Sequence, residues 1–425
     1  MVYRFFKNTF LLLLMLAFFI RCGSREQQNN RTVSSTSAVA VLTDTTLEKK
    51  DFTKKIIVGA NKMNEWLPKL SGKRVGIVAN QTSVVFKPIH TYTHLVDTLV
   101  ALKVAVKTVF SPEHGFRGNA DAGEIVKDGK DVKTGLPIIS LYGKNKKPFP
   151  NQLENLDVVI FDVQDVGVRF YTYISTLHYV MEACAEANIP VIILDRPNPN
   201  GHYVDGPILE KEFTSFVGMH PVPIVHGMTI GEYAQMINGE QWLSNGIQCQ
   251  LNVIPVENYT HQTPYSLPIK PSPNLPNDQA INLYPSLCLF EGTDISVGRG
   301  TEQQFQVIGT PRFDLKHFDH FTPKPNFGAK NPKHNGLMCN GYDLSKHEKL
   351  QFIKLTWLID FYKKYQTSQV DVPFFNKNNF FAKLAGTDKL QQQIEAGMSE
   401  TDIKATWQKG LQSFKKIRDL YLIYE

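Results

Sequence analysis

An acid, an imidazole and a guanidinium stand close together in Ser111-Pro112-Glu113-His114-Gly115-Phe116-Arg117-Gly118. This segment directly follows the apolar run Val104 to Phe110, which reads as a buried parallel strand. A strand ending in such groups delivers proton transfer and anion binding to the carboxyl edge of a sheet, where open α/β folds bind ligands. The same residue types also suit a plain turn. Ser-Pro and His-Gly reverse a chain, and Glu113 and Arg117 are then solvated or paired.

Two further strand ends carry polar clusters. Asp162-Val163-Gln164-Asp165-Val166-Gly167-Val168-Arg169-Phe170-Tyr171-Thr172-Tyr173 follows the run beginning at Val158, and Asp195-Arg196-Pro197-Asn198-Pro199-Asn200-Gly201 follows Val191 to Leu194. Three such ends converge on one sheet edge if the strands are parallel, and convergence is what makes a site. Each residue also has a structural role open to it: Arg169 can pair with Asp162 or Asp165, Asp195 can cap a turn, and Asn-Pro-Asn-Gly is itself a turn signal.

The elements that would hold these groups are legible. Val75 to Ala79, Val104 to Phe110, Leu136 to Leu141, Val158 to Val163 and Val191 to Leu194 are short, β-branched and bounded by turn residues, as buried strands are. Between them, Leu95, Val96, Leu99, Val100 and Leu102 form one helical stripe, and Ile174, Leu177, Met181 and Cys184 form another. Thr229-Ile230-Gly231-Glu232 has the form of a capping box opening a further helix. Strand and helix in alternation predict an α/β fold with a Rossmann-like, doubly wound, mostly parallel sheet. The proline-rich passage from Pro264 to Pro276 marks a crossing. We expect a catalytic domain over 51–279 and a smaller α/β domain over 280–425, the latter with an apolar helix over Leu350 to Tyr365, a stripe of Ile403, Trp407, Leu411, Phe414 and Ile417, and a strand-like Leu420 to Tyr424.

Composition limits the function classes. The chain has 425 residues, 42% hydrophobic and 20% charged, enough to build full cores. A net charge of +6 without a basic block gives no footprint for nucleic acid. No Gly-x-Gly-x-x-Gly opens a helix after a strand, and Gly298-Arg299-Gly300 lacks the third glycine, so no dinucleotide cofactor is expected. A metal hydrolase would recruit His114, Asp162, Asp195 and His226, but these lack tight ligand spacing, and neither metal nor other cofactor is expected. A non-catalytic glycan-binding lipoprotein would use the same aromatics, arginines and asparagines without needing a positioned acid.

The start of the chain reads as an export signal. Arg4 and Lys7 precede an uninterrupted apolar run from Phe10 to Ile20, and Cys22 follows at once, as at a bacterial lipoprotein processing site. Arg21 departs from the small residue favoured before that cysteine. We therefore expect a signal peptide over 1–22, acylation of Cys22 that anchors the chain to a membrane surface, a flexible tether over 23–50, and a mature protein in the periplasm or cell envelope. Cys184, Cys249, Cys288 and Cys339 remain, widely spaced and best suited to small buried apolar roles, with two disulfides as the alternative.

The motifs named above, with Pro271 to Pro276 and Glu291-Gly292-Thr293-Asp294-Ile295-Ser296-Val297-Gly298-Arg299-Gly300-Thr301, closely resemble the bacterial exo-β-N-acetylmuramidase family NamZ from about Asp51 to the last residue. The resemblance implies a glycosidase releasing N-acetylmuramic acid from non-reducing ends of peptidoglycan fragments, with its catalytic glutamate falling on Glu113. Two departures stand out. Gln304-Phe305 replaces a Pro-Phe pair, and Asp205-Gly206-Pro207 replaces Glu-Gly-Pro. Glycoside hydrolysis needs an acid for the leaving oxygen and usually a second carboxylate. On this reading Glu113 is the acid, His114 orients it, and Glu124, Asp162 and Asp165 compete for the second role unless the substrate's acetamido group attacks instead. Arg117, Arg169, Arg196 and Arg299 are candidate readers of the lactyl carboxylate that distinguishes N-acetylmuramic acid. Phe116, Tyr171 and Tyr173 are candidates to stack on the sugar, and Asn198 and Asn200 to bind its hydroxyls. Asp195, Glu291 and Thr301 complete the expected binding set.

Overall fold

A computed structural model describes residues 54–425 except 90, 119–123, 125–127, 314–318 and 369. The expected signal peptide, Cys22 and the tether lie outside the described residues. Residues 51–425 form one compact unit.

Seven strands build the principal sheet: β1 (Arg74–Ala79), β2 (Ala105–Ser111), β3 (Gly129–Lys130), β4 (Pro137–Ser140), β5 (Val158–Asp162), β6 (Val191–Leu194) and β7 (Leu251–Ile254). Their order is β3-β4-β2-β1-β5-β6-β7, and every pairing is parallel except that of the edge strand β3 with β4. With that edge set aside, the sheet has the doubly wound order in which the chain runs outward from β1 on one side, then crosses to β5 on the other. The alternation of burial explains why these apolar runs are strands. Val75, Ile77, Val158, Ile160, Ile192 and Leu194 point into one core with α1 (Leu95–Ala101), while Val78, Val159, Phe161, Val191 and Ile193 point into the other with α2 (Tyr173–Glu186) and α3 (Ile230–Gly239). A sheet buried on both faces needs apolar side chains at both phases of the two-residue repeat.

The capping box holds: Glu232 N–H donates to Thr229 Oγ1 and Thr229 N–H donates to Glu232 Oε2, at 3.3 and 2.8 Å. Beyond residue 276 come α4 (Asp278–Leu287), an antiparallel sheet of β8 (Val307–Thr310), β9 (Asp319–Phe321) and β10 (Cys339–Asp343) in the order β8-β10-β9, and the helices α5 (Thr356–Thr367), α6 (Phe380–Ala385), α7 (Lys389–Glu395) and α8 (Glu400–Arg418). Two sequence expectations change here. The apolar run at Leu350 becomes helical only from Thr356, because the preceding backbone is anchored elsewhere: Leu350 N–H donates to Asn282 Oδ1 and Ile353 N–H to Asp205 Oδ2. Residues 420–424 form no strand. Leu420 and Tyr421 N–H close the end of α8 by donating to Ile417 O and Arg418 O, Ile423 and Tyr424 N–H both donate to Glu232 Oε1, and the Tyr424 hydroxyl donates to Asp195 Oδ2 at 2.6 Å. The four described cysteines are free thiols and buried.

Arg169 joins the sheet domain to the later helices. It is fully buried and has no carboxylate partner among the described residues; Nη1 donates to Pro207 O and Val222 O, and Nη2 to Leu384 O and Ala385 O, all between 2.7 and 3.0 Å. Burial lowers its pKa to about 9, which leaves it charged at neutral pH. The last two acceptors are the final carbonyls of α6, where a cation meets the negative end of the helix. Gly386 then leaves that helix at φ +76°, and a Cβ there would stand 2.5 Å from Arg169 Nη2, so only glycine fits. Replacing Arg169 by Met keeps much of the volume but orphans four carbonyls, so a loss of about 3–5 kcal/mol is expected in urea unfolding. A loss below about 1 kcal/mol would mean that water takes over those carbonyls.

Candidate active site

Strand β2 ends at Ser111, and the chain then turns through Pro112 to Gly115, closed by Gly115 N–H donating to Pro112 O at 3.1 Å. His114 sits in this turn at φ +70°, a left-handed conformation that costs a non-glycine residue about 1 kcal/mol. The turn carries Glu113 and His114 into a cleft of about 630 Å³, a size usual for small-ligand sites. Thr172 Oγ1 donates to Glu113 Oε2 at 2.7 Å. Thr172 occupies the cap position of α2, yet its hydroxyl caps no helix N–H, being turned to the carboxylate. Tyr142, just beyond β4, also hydrogen-bonds to Glu113; burial first, and then that carboxylate, hold its phenol protonated well above the usual range.

The facing wall comes from the later part of the chain: Ser272 to Leu275 of the proline-rich passage, Tyr284 and Cys288 around the end of α4, Glu291, Arg299 and Phe305 beyond it, and Phe380 and Leu384 of α6. Glu291 pairs with Arg299 at 2.7 Å and accepts from Cys288 Sγ at 3.4 Å. Phe305, the second residue of the altered Gln-Phe pair, is buried at φ +53°, with the Arg299 guanidinium 5.4 Å from its ring centre. Asn274 donates to Gly328 O, while its buried Oδ1 accepts nothing among the described residues, which leaves an acceptor for a ligand. A larger groove of about 1110 Å³, lined by Lys54 to Val58 and by Phe86 to Tyr92 of the neighbouring hairpin, has no acid or histidine among its described lining residues.

Among the expected site residues, the cleft brings together Glu113, His114, Tyr171, Tyr173, Glu291 and Arg299. The others stand elsewhere, engaged with other groups of the protein, although Asp165 Oδ1, Arg169 Nε and Asn200 Oδ1 are buried with no hydrogen-bond partner among the described residues. Arg117 pairs with Asp97 and Asp131 at 3.0 and 2.7 Å and covers Phe116, which is buried, so this arginine clamps the Glu113 loop to α1 rather than facing a ligand. Arg196 forms a buried pair with Asp162 at 2.6 Å, and Arg169 is spent on carbonyls. Asp195 accepts from Thr229, Gly231 and Tyr424. Asn198 donates to Met228 O, and Asn200 to Val166 O and Ile281 O. Thr301 bonds to Gly298 O, and Glu124 pairs with Lys330 at 2.6 Å. None of the three expected second carboxylates lines the cleft; the second acid there is Glu291. Nor do His114, Asp162, Asp195 and His226 converge, and no group of three or more metal-ligating side chains occurs among the described residues. Sequence reasoning missed Tyr142 and Thr172 and, in the facing wall, Tyr284, Cys288, Phe380 and Leu384, though it named Glu291 and Arg299 there. Only the position of Tyr142 just past a strand end, as with Glu113, could have flagged it.

Asp165 lies buried in the loop after β5, where Oδ2 accepts from Gly167 N–H at 2.7 Å. His226 Nε2 stands 3.9 Å away, and burial, followed by the Arg418 and Arg169 charges, lowers this imidazole to about 3, so it supplies no positive charge. Burial raises the Asp165 carboxyl to about 7, against the pull of two backbone N–H groups. An unfolded aspartate titrates near about 3.9, so between those values the folded chain holds a proton that the unfolded chain has released, and stability falls as pH rises through this window. Urea unfolding from pH 4.5 to 7.5 should show the wild type losing about 2–4 kcal/mol more than Asp165→Asn. Equal slopes would place the titration on another group.

Family models described as exo-beta-N-acetylmuramidase NamZ match the chain twice, the N-terminal model over 75–279 and the C-terminal model over 282–424. The peptidoglycan beta-N-acetylmuramidase NamZ of Bacillus subtilis (strain 168) is 39% identical over 381 residues, 85% of this chain and 89% of that protein. Two crystal structures of DUF1343 family proteins from Bacteroides fragilis NCTC 9343 superpose with TM-scores of 0.79 and 0.74, at 46% and 30% identity, covering 88% and 87% of this chain and 99% of each of theirs. With both models matched in order and identity sustained over most of its length, the chain belongs to the exo-beta-N-acetylmuramidase NamZ family.

Proposed function

We propose that this chain is an exo-acting glycosidase releasing N-acetylmuramic acid from non-reducing ends of peptidoglycan fragments, with Glu113 as general acid. The observation that carries the reading is the Glu113 carboxyl, exposed to a sugar-sized cleft and held there by two hydroxyls, in a member of this family. Protonated Glu113 gives its proton to the glycosidic oxygen as the bond to the anomeric carbon breaks, so that the leaving sugar departs neutral, and the oxygen of a water ends on the anomeric carbon while its proton passes to a carboxylate. Thr172 and Tyr142 restrict the carboxyl to one orientation, which an acid on a turn would otherwise lack. We assign the second carboxylate role to Glu291, whose partner Arg299 keeps it aimed from the facing wall. The aromatic edges of Tyr171 and Tyr173, 4.7 Å apart between centres, offer apolar contact to the sugar face.

A chromogenic β-N-acetylmuramic acid glycoside tests this reading. Glu113→Gln should lower kcat by about 10²- to 10⁴-fold while retaining the fold by circular dichroism. Full activity of that variant would sink the assignment, and loss with EDTA that zinc restores would make the protein a metal hydrolase.

We also propose that the chain is exported and held at a membrane surface by acylation of Cys22, on the strength of the charged start, the apolar run and the cysteine that follows. Detergent-phase partitioning of the full chain expressed in a bacterium should move to the aqueous phase in Cys22→Ser; equal partitioning of the two would remove the anchor.

A further inference from the structure

The cleft contains two cations of unlike standing. Arg299 is already engaged by Glu291 at 2.7 Å. Lys146, on the loop following β4 and Tyr142, lines the same cleft and has neither an ion pair nor a hydrogen bond among the described residues. Its ammonium lies 4.5 Å from the centre of the Phe216 ring, which is itself stacked on Tyr179. Its neighbour Lys147 shows what an unoccupied lysine on this loop does when acids are in reach, since it bonds to both Glu182 and Glu186 at 2.7 Å. Lys146 instead rests on an aromatic face at the mouth of the cleft, an arrangement that orients an ammonium while leaving its donors to a ligand.

A ligand that differs from its neutral analogue by one carboxylate needs such a group, because Glu113 and Glu291 make the cleft otherwise unfavourable for an anion. Arg117, Arg169 and Arg196, the natural readers by residue type, are each committed elsewhere. We infer that Lys146 binds the lactyl carboxylate of the terminal N-acetylmuramic acid and so sets the preference for that sugar over N-acetylglucosamine. This inference rests on the proposed glycosidase reading.

The experiment compares kcat/KM for the chromogenic β-N-acetylmuramic acid glycoside and for its lactyl methyl ester, which keeps the shape and removes the charge. A charged hydrogen bond predicts a wild-type preference for the acid of about tenfold or more, expressed in KM. Lys146→Met should lose that preference and Lys146→Arg should keep most of it. Retention of the full acid-to-ester ratio in Lys146→Met overturns the assignment. Calorimetric titration with free N-acetylmuramic acid and N-acetylglucosamine separates the two levels of the reading. Selective binding of the acid sugar by a wild type that turns over neither glycoside, lost in Lys146→Met, would defeat the glycosidase reading and keep Lys146 as the anion reader. Equal affinity of wild type and variant for the acid sugar would defeat Lys146.

Discussion

The structure depends on a buried cation held by backbone carbonyls. Arg169 lies in the loop after β5, just before the segment Phe170 to Tyr173 that floors the cleft, and its guanidinium holds the last carbonyls of α6, whose Phe380 and Leu384 wall it. Four carbonyls substitute for a carboxylate because each presents a partial negative charge at short range and none carries the desolvation penalty of a full one. The arrangement is rigid in a way an ion pair is not: it fixes three separated stretches of backbone, at Pro207, Val222 and Leu384 to Ala385, relative to one planar group. The two sides of the cleft are thereby set before any ligand arrives.

A second constraint explains where the cleft lies. The strand order is that of dinucleotide-binding folds, whose ligands occupy the crevice at the switch between the first strand and the strand across from it. Here that crevice, between β1 and β5, is filled from within. Arg196 pairs with Asp162 and also donates to Val84 O, Thr82 Oγ1 accepts from Gln164 N–H, and Ser83 Oγ donates to Asp162 O. The open space moves one strand over, to the ends of β2 and β4, and there the later part of the chain supplies the missing wall.

This displacement separates what the sequence could reveal from what it could not. Strands with β-branched runs, helices with apolar stripes and the capping box at Thr229 were legible because local periodicity is set by the same burial that the fold enforces. Glu113 was legible because a short polar motif after a strand must project from the sheet edge. The polar ends at Asp162 and Asp195 carried the same signal and yet face inward, since a strand end states that polar groups are present and not whether the protein has partners for them. Asp195 needed Tyr424 and Asn200 needed Ile281, contacts across 229 and 81 residues that no local pattern encodes. The motif around Glu291 was legible, whereas its place in the same cleft as Glu113 was not. The run at Leu420 had the apolar content of a strand, but its backbone N–H groups were claimed by the end of α8 and by Glu232.

That last contact bears on the order of assembly. Asp195 and Glu232 belong to the Rossmann-like sheet and its helix α3, yet donors that satisfy them come from Ile423 and Tyr424, while His261 Nε2 stands 2.9 Å from the same glutamate and its N–H donates to Glu425 O. A chain emerging from its N-terminal end therefore has every strand of the principal sheet available before two of that sheet's buried carboxylates receive their last hydrogen bonds, the earlier ones coming from Arg196, Thr229 and Gly231. Residues 423–425 thus close the sheet domain from the far end of the chain, which ties the two matched family segments together through buried hydrogen bonds instead of leaving them exchangeable parts.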